Sequence, residues 1–261
     1  MLFNSFNFFV FFLSFILIWS VFPSSKKWIS LLLGSLYFYY TASGALIVIP
    51  LLITIIVYAG AFAIKKYGFN LFLTATVVVL SFLIYYKYIG AFSSLFHDFK
   101  FNTLLVPLGI SYFTFQAVGY LIEIKNKKIE PEKNIFKLCL YLIYFPKIIA
   151  GPIEKPSNFL NQINKPTSYN FHNTTQGIKL IIVGLFKKVV VADRLNLIIA
   201  PVFANVAENQ GMPILISCLL FPVQLYMDFS GYTDMARGFS KIMGIELTEN
   251  FNKPFNSTTL T

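Results

Sequence analysis

Two carboxylates stand six residues apart in the run Asp228-Phe229-Ser230-Gly231-Tyr232-Thr233-Asp234, directly after the apolar stretch 212–227. An ionisable group at membrane depth costs at least ~2.5–3.5 kcal/mol on insertion scales, and is kept where it is paired, lines a cavity or has a task. On one continuous helix Asp228 and Asp234 point in different directions, and Gly231 between them permits a break or a close approach. Asp234 and Arg237 are three apart and can pair on one face. Asp228 has no such neighbour; helix capping or packing is its plainer reading, a pocket role its sharper one.

Other polar residues interrupt apolar sequence. Gly184-Leu185-Phe186-Lys187-Lys188 is followed by Asp193-Arg194. The plain reading is a helix end whose lysines reach up to headgroups, and the five-residue spacing of Lys188 and Asp193 is poor for one α-helical face. Val106-Pro107-Leu108-Gly109 breaks an apolar segment ahead of Ser111, Thr114 and Gln116, and Phe145-Pro146-Lys147 with Ala150-Gly151-Pro152 makes a second interruption. Broken helices free backbone groups that protein or a water-lined cavity must satisfy. Two breaks plus carboxylates suggest a cavity crossing part of the bilayer, which physics alone assigns equally to a transporter or an intramembrane enzyme. His97 and His172 fall in polar loops with no orienting partner, and read as surface residues. No metal-spaced cluster, Gly-rich phosphate loop or serine nucleophile elbow occurs, so no metal is expected.

The elements that must carry these groups are membrane helices. Apolar residues make up 56% of the chain and charged residues 12%, against about 25% charged in soluble domains. At about 20 residues per span, the chain has room for seven to nine spans, a polytopic all-α membrane protein. Apolar segments run at 6–22, 28–42, 45–64, 69–88, 104–124, 136–153, 177–200 and 212–227. Charged loops alternate: Lys26-Lys27, Lys65-Lys66 and the lysines of 125–137 lie on every second loop, so the positive-inside rule puts the N-terminus outside. The net charge of +10 belongs to these clusters, which set topology and touch anionic lipid; nucleic acid is not an expected partner. Tyr37, Tyr39, Tyr40, Tyr85, Tyr86 and Tyr88 form an expected aromatic belt. Polar residues 152–173 read as a loop or interfacial helices. Cys139 and Cys218 read as buried thiols. Residues 1–7 carry no positive charge and no small-residue cleavage site follows, so the first segment reads as a retained span. No repeat or linker is visible, and 1–261 reads as a single membrane domain.

Several strings, in order, resemble the membrane-bound O-acyltransferase family, and within it the bacterial alginate O-acetylation type. They are Met1-Leu2-Phe3-Asn4-Ser5, Pro107-Leu108-Gly109-Ile110-Ser111-Tyr112-Phe113-Thr114-Phe115-Gln116, Tyr144-Phe145-Pro146 and Ala150-Gly151-Pro152-Ile153. Gly184-Leu185-Phe186-Lys187-Lys188, Gln224-Leu225-Tyr226-Met227-Asp228 through Asp234-Met235-Ala236, and Asn250-Phe251-Asn252-Lys253-Pro254-Phe255 complete the set. The resemblance implies a helical bundle around a central tunnel, in the bacterial cytoplasmic membrane. Gln116, Pro146, Gly151, Pro152, Asp228, Ser230, Tyr232 and Asp234 are its candidate tunnel residues. It implies a donor taken from the cytoplasmic side, acetyl-coenzyme A or an acyl-carrier thioester, with no bound cofactor. It also implies an O-acetylated cell-wall or secreted polysaccharide as product, with an extracytoplasmic acetyltransferase partner completing the transfer.

The family's essential histidine lies in a Trp-rich motif shortly after the Asn-Phe-Asn-Lys-Pro-Phe string, where this sequence stops, and His97 and His172 do not match it. No catalytic residue is therefore assigned within 1–261, and the sequence reads as the N-terminal, truncated part of an acyltransferase. The helix-start pattern of Asn256-Ser257-Thr258-Thr259-Leu260-Thr261 agrees with that reading. The rival readings are a transporter or flippase, for which no repeat of the broken helices is found, and a non-catalytic membrane subunit that holds a partner.

Overall fold

The computed structural model describes residues 3–89, 105–149, 151–166 and 169–250. His97, Ala150 and most of the 250–255 string, together with 256–261, lie outside the described residues. The described residues are helical, with no strand among them. Ten α-helices are α1 (Phe6–Val21), α2 (Lys27–Ser43), α3 (Val48–Tyr67), α4 (Phe69–Leu83), α5 (Ile110–Lys125), α6 (Ile135–Ile143), α7 (Pro156–Ile163), α8 (Phe171–Leu185), α9 (Asp193–Ala204) and α10 (Met212–Ile242). A π-helical turn, Ile84–Tyr88, extends α4, and a second, Phe186–Ala192, joins α8 to α9. Among the described residues three helical runs are long and apolar enough to cross a membrane: Ser24–Tyr67, Phe69–Tyr88 and Met212–Ile242.

The chain packs as two compact units, one from residues 12–149 and 153–166, the other from 3–11, 151–152 and 169–250. In the first unit both helix breaks are satisfied by one face of α2. Tyr39 Oη donates to the Leu108 carbonyl at 3.0 Å, Ser43 Oγ accepts from Leu108 N at 3.2 Å, and Ser35 Oγ accepts from Phe145 N at 3.2 Å. Residues 35, 39 and 43 recur every four positions, so one helical stripe faces both breaks. The breaks also touch each other. Gly109 sits at φ +68°, and a Cβ there would lie 2.3 Å from the Ile148 carbonyl oxygen, so only glycine fits.

The segment expected to span at 136–153 does not continue as a helix. After α6 the chain turns over 145–149 and returns extended through 151–155 into α7. Both ends are tied to neighbours at one end of the unit: Lys137 Nζ donates to Asn164 Oδ1, and Glu123, near the end of α5, accepts from Ser157 N at 3.1 Å. Pro146 keeps the helix from running on past Ile143, and Pro152 keeps the return from winding up before α7. Tyr39 leaves the expected aromatic belt for the core, where it is fully buried, whereas Tyr37 and Tyr40 stay exposed. Cys139 is buried and Cys218 exposed, and both are free thiols.

Lys147 sits at the tip of this turn and is fully buried. Its Nζ lies 4.0 Å from the Tyr141 ring centre and 4.4 Å from that of Phe159, and no described residue offers it a hydrogen bond. The aromatic faces supply part of what hydration would. A buried ammonium without hydrogen bonds still carries a large desolvation cost. Lys147→Met keeps the stem volume and removes that cost, so its thermal midpoint in detergent should equal or exceed that of the unmodified chain. Tyr39→Phe, by contrast, leaves the Leu108 carbonyl short of a donor and should destabilise by about 1–2 kcal/mol in the same melt.

Candidate functional site

α8 and α10 pack antiparallel in the second unit, and glycine makes this possible. A Cβ on Gly177 would lie 2.6 Å from the Gly238 carbonyl oxygen, and one on Gly184 would lie 2.6 Å from that of Gly231. The reciprocal approaches are 2.6 Å for Gly238 and 2.9 Å for Gly231. Two glycine pairs, each seven residues apart along its helix, let the backbones touch, as small residues do between membrane helices. Gly231 thus serves close approach and not a break: α10 runs unbroken from Met212 to Ile242. Its first part exposes Leu215, Leu219 and Leu225, while Ser230 to Ala236, with Gly238, Phe239 and Ser240, is buried.

The close seam brings α8 and the π-turn within side-chain reach of both carboxylates. Lys187 Nζ lies 2.6 Å from Asp234 Oδ2, and Lys188 Nζ lies 2.6 Å from Asp228 Oδ1 and 2.8 Å from Asp193 Oδ1. Adjacent lysines therefore hold carboxylates six residues apart. Both lysines are held in ion pairs, and Lys188 is only 15% exposed. The π-turn explains the Lys188–Asp193 pair: five residues make one π-helical hydrogen-bonded step, and Asp193 N donates to the Lys188 carbonyl. Arg237 Nη1 lies 3.4 Å from Asp234 Oδ1, the expected three-apart pair, looser than the lysine contact. Tyr232 is packed between Phe3, 5.8 Å between ring centres, and the Lys188 ammonium, 5.4 Å from its own ring centre.

The candidate residues fall into two groups. Asp228, Ser230, Tyr232 and Asp234 are brought together on α10, and buried Gly151 and Pro152 belong to the same unit. Gln116 and Pro146 are buried in the other unit, and neither amide atom of Gln116 finds a hydrogen-bond partner among the described residues. His172 is exposed on the first turn of α8, where its Nε2 lies 3.3 Å from Gln176 Nε2. No group of three metal-ligating side chains occurs among the described residues. Sequence reasoning missed Lys187 and Lys188 as partners of the α10 carboxylates. The signal was there: two cations in one apolar segment and two anions in another satisfy each other most cheaply by meeting.

No protein-family profile matches the chain; individual proteins do. It is 32% identical to a probable alginate O-acetylase of Azotobacter vinelandii, over 77% of this chain and 42% of that protein. It is 30% identical to the peptidoglycan O-acetyltransferase of Helicobacter pylori, over 89% of this chain and 50% of that protein. A teichoic acid D-alanyltransferase of Bacillus subtilis is 31% identical, over 60% and 40%. The chain belongs to the membrane-bound O-acyltransferase family. It spans between 40% and 50% of the length of these three relatives.

The glycine seam gives a sharp test on this family member. Gly184→Ala places a methyl against the Gly231 carbonyl and should cost about 1–3 kcal/mol by overpacking. At Gly119 nothing lies within 4 Å of an added Cβ. Gly119→Ala should therefore be neutral or gain up to about 1 kcal/mol from helix propensity. Thermal melts of the two variants in one detergent check both directions.

Proposed function

We propose that this sequence forms part of a membrane O-acyltransferase that carries acetyl groups to hydroxyls of a cell-wall or secreted polysaccharide. The observation that carries this reading is the paired charge cluster of Asp228, Lys188, Asp234 and Lys187, held by a glycine seam in an otherwise apolar helical bundle. Such groups at membrane depth are kept for a pathway or a site. The three relatives are named for different acceptors and for two different acyl groups, acetyl and D-alanyl. Similar identity to all of them supports assigning the shared portion to a common task, passage and presentation of the acyl group, with acceptor choice made elsewhere.

In this reading the chain's own residues do no acid–base chemistry. Within the second unit Asp228, Ser230, Tyr232 and Asp234, with Gly151 and Pro152, are the candidate path residues, and Gln116 and Pro146 are candidates within the first unit. The acyl donor is acetyl-coenzyme A or a carrier thioester taken from the cytoplasm, and an extracytoplasmic acetyltransferase completes delivery to the glycan. The N-terminus lies outside and the lysine-rich loops inside the bacterial cytoplasmic membrane. The ion pair of Lys65 with Glu130 draws two lysine-rich loops to one end of the first unit, as the positive-inside reading requires of them.

The test uses the complete gene product in a host lacking its own polysaccharide acetylation. Ester-linked acetate released from purified polysaccharide by mild base should fall at least about tenfold for Asp228→Asn, equivalent to 1.4 kcal/mol of lost transition-state stabilisation. Lys188→Met should behave alike, because it breaks the same pair, while membrane fractionation shows unchanged insertion. Wild-type acetate from both variants counts against the reading.

A further inference from the structure

Beside the Lys187–Asp234 pair, α8, α10 and the segment after α10 line an open cavity of about 240 Å³ whose wall includes Lys187, Ser230, Asp234, Arg237, Glu249 and Asn250. That is the bulk volume of roughly eight waters. We propose that this cavity is an oxyanion site for a phosphate ester, with the Glu249 carboxylate standing in for the ligand in the conformation described.

The two carboxylates on the wall are held very differently. Asp234 is 13% exposed and is fixed by Lys187 at 2.6 Å. Glu249 is 59% exposed and meets Arg237 only at length: Nη1 to Oε1 is 3.5 Å and Nη2 to Oε2 is 3.5 Å. Two guanidinium nitrogens thus face two oxygens of one carboxylate, the fork-to-fork arrangement that suits carboxylate or phosphate. The contact is well beyond the roughly 2.7–2.9 Å of a charge-assisted bond. An exposed, long pair of this kind contributes little and is screened by salt.

Glu249 therefore occupies an anion's position without filling it. With Glu249 in place, the two cations and two carboxylates of the wall balance; once it swings out, one net positive charge remains. Arg237 then presents unused donors, the Asn250 amide lies on the same wall, and the Ser230 hydroxyl, 2% exposed, has no hydrogen-bond partner among the described residues. A phosphate offers enough acceptor oxygens to use these donors together, and the cavity is larger than a single carboxylate needs. The phosphate can come from a soluble thioester carrier such as coenzyme A or from a lipid headgroup.

Binding decides this without any acyl transfer, so its outcome is separable from that of the proposed function. The chain in neutral-detergent micelles is titrated with coenzyme A by calorimetry, and in a second arm with micelles doped with phosphatidylglycerol. Glu249→Gln removes the competing charge and should tighten binding by about two- to fivefold, the range of an exposed pair. Arg237→Lys keeps the charge but loses the fork, and should weaken binding about tenfold or more. Circular dichroism and thermal melting report whether each variant folds. Coenzyme A binding with these two shifts assigns the site to a soluble carrier; phosphatidylglycerol binding with the same shifts assigns it to a lipid headgroup. The proposal is overturned if neither probe binds the unmodified chain or Glu249→Gln, or if a folded Glu249→Gln leaves both affinities unchanged.

Discussion

Backbone contact between α8 and α10 at Gly177–Gly238 and Gly184–Gly231 sets the geometry of the second unit. Ordinary side chains hold helix axes about 8–10 Å apart. Glycine removes the spacer, so the two backbones touch, and Lys187 and Lys188 lie beside Asp234 and Asp228 in short ion pairs. Hydrocarbon on one side of α10 and protein on the other then become compatible with carboxylates on a single helix. The burial of Tyr232 against Phe3 and Lys188 follows from the same approach.

The first unit meets the opposite difficulty. Its special feature is backbone that leaves the helix inside an apolar surround, where each unsatisfied amide or carbonyl costs several kcal/mol. The answer is a polar stripe on α2, in which Ser35, Tyr39 and Ser43 serve Phe145 and Leu108. Gly109 packed against the Ile148 carbonyl lets the two breaks share one location. Paired charge shapes one unit and freed backbone polarity the other, and in each a neighbouring helix supplies the partners.

Much of this was legible in the residues. The apolar segments at 6–22 and 69–88 correspond closely to α1 and to α4 with its π-turn, because length and hydropathy are decisive where a helix faces lipid. The turn at Pro107-Leu108-Gly109 ahead of α5 and the Asp234–Arg237 pair were readable from backbone chemistry and from three-residue spacing. Segment 136–153 was legible in part: Pro146 and Gly151-Pro152 announced the interruption, while the return of the chain into α7 shows only in the contacts of Lys137 and Glu123. Tyr39 was assigned to the membrane surface with its neighbours because composition does not reveal which tyrosine has a carbonyl to reach. The Lys188–Asp193 pair was discounted because five residues do not fit an α-helical face, and a π-turn leaves no composition signal. The seven-residue recurrence of Gly177 with Gly184 and of Gly231 with Gly238 was present in the sequence, and acquires meaning once the two helices are seen to run against each other.

The π-turn at Phe186–Ala192 makes chain length itself a structural variable. It holds one more residue than an α-helical path over the same rise would take. Removing a single residue between Lys188 and Asp193 would restore ordinary winding over that rise and leave the two four apart, on one α-helical face, with the face that α9 shows to α10 unchanged. The same loss from an evenly wound helix such as α8 or α10 would instead rotate everything downstream by about 100°. Gain or loss of one residue among related chains should therefore be tolerated within this apolar stretch and avoided in the helices on either side of it, although nothing in the valine-rich string itself marks the difference.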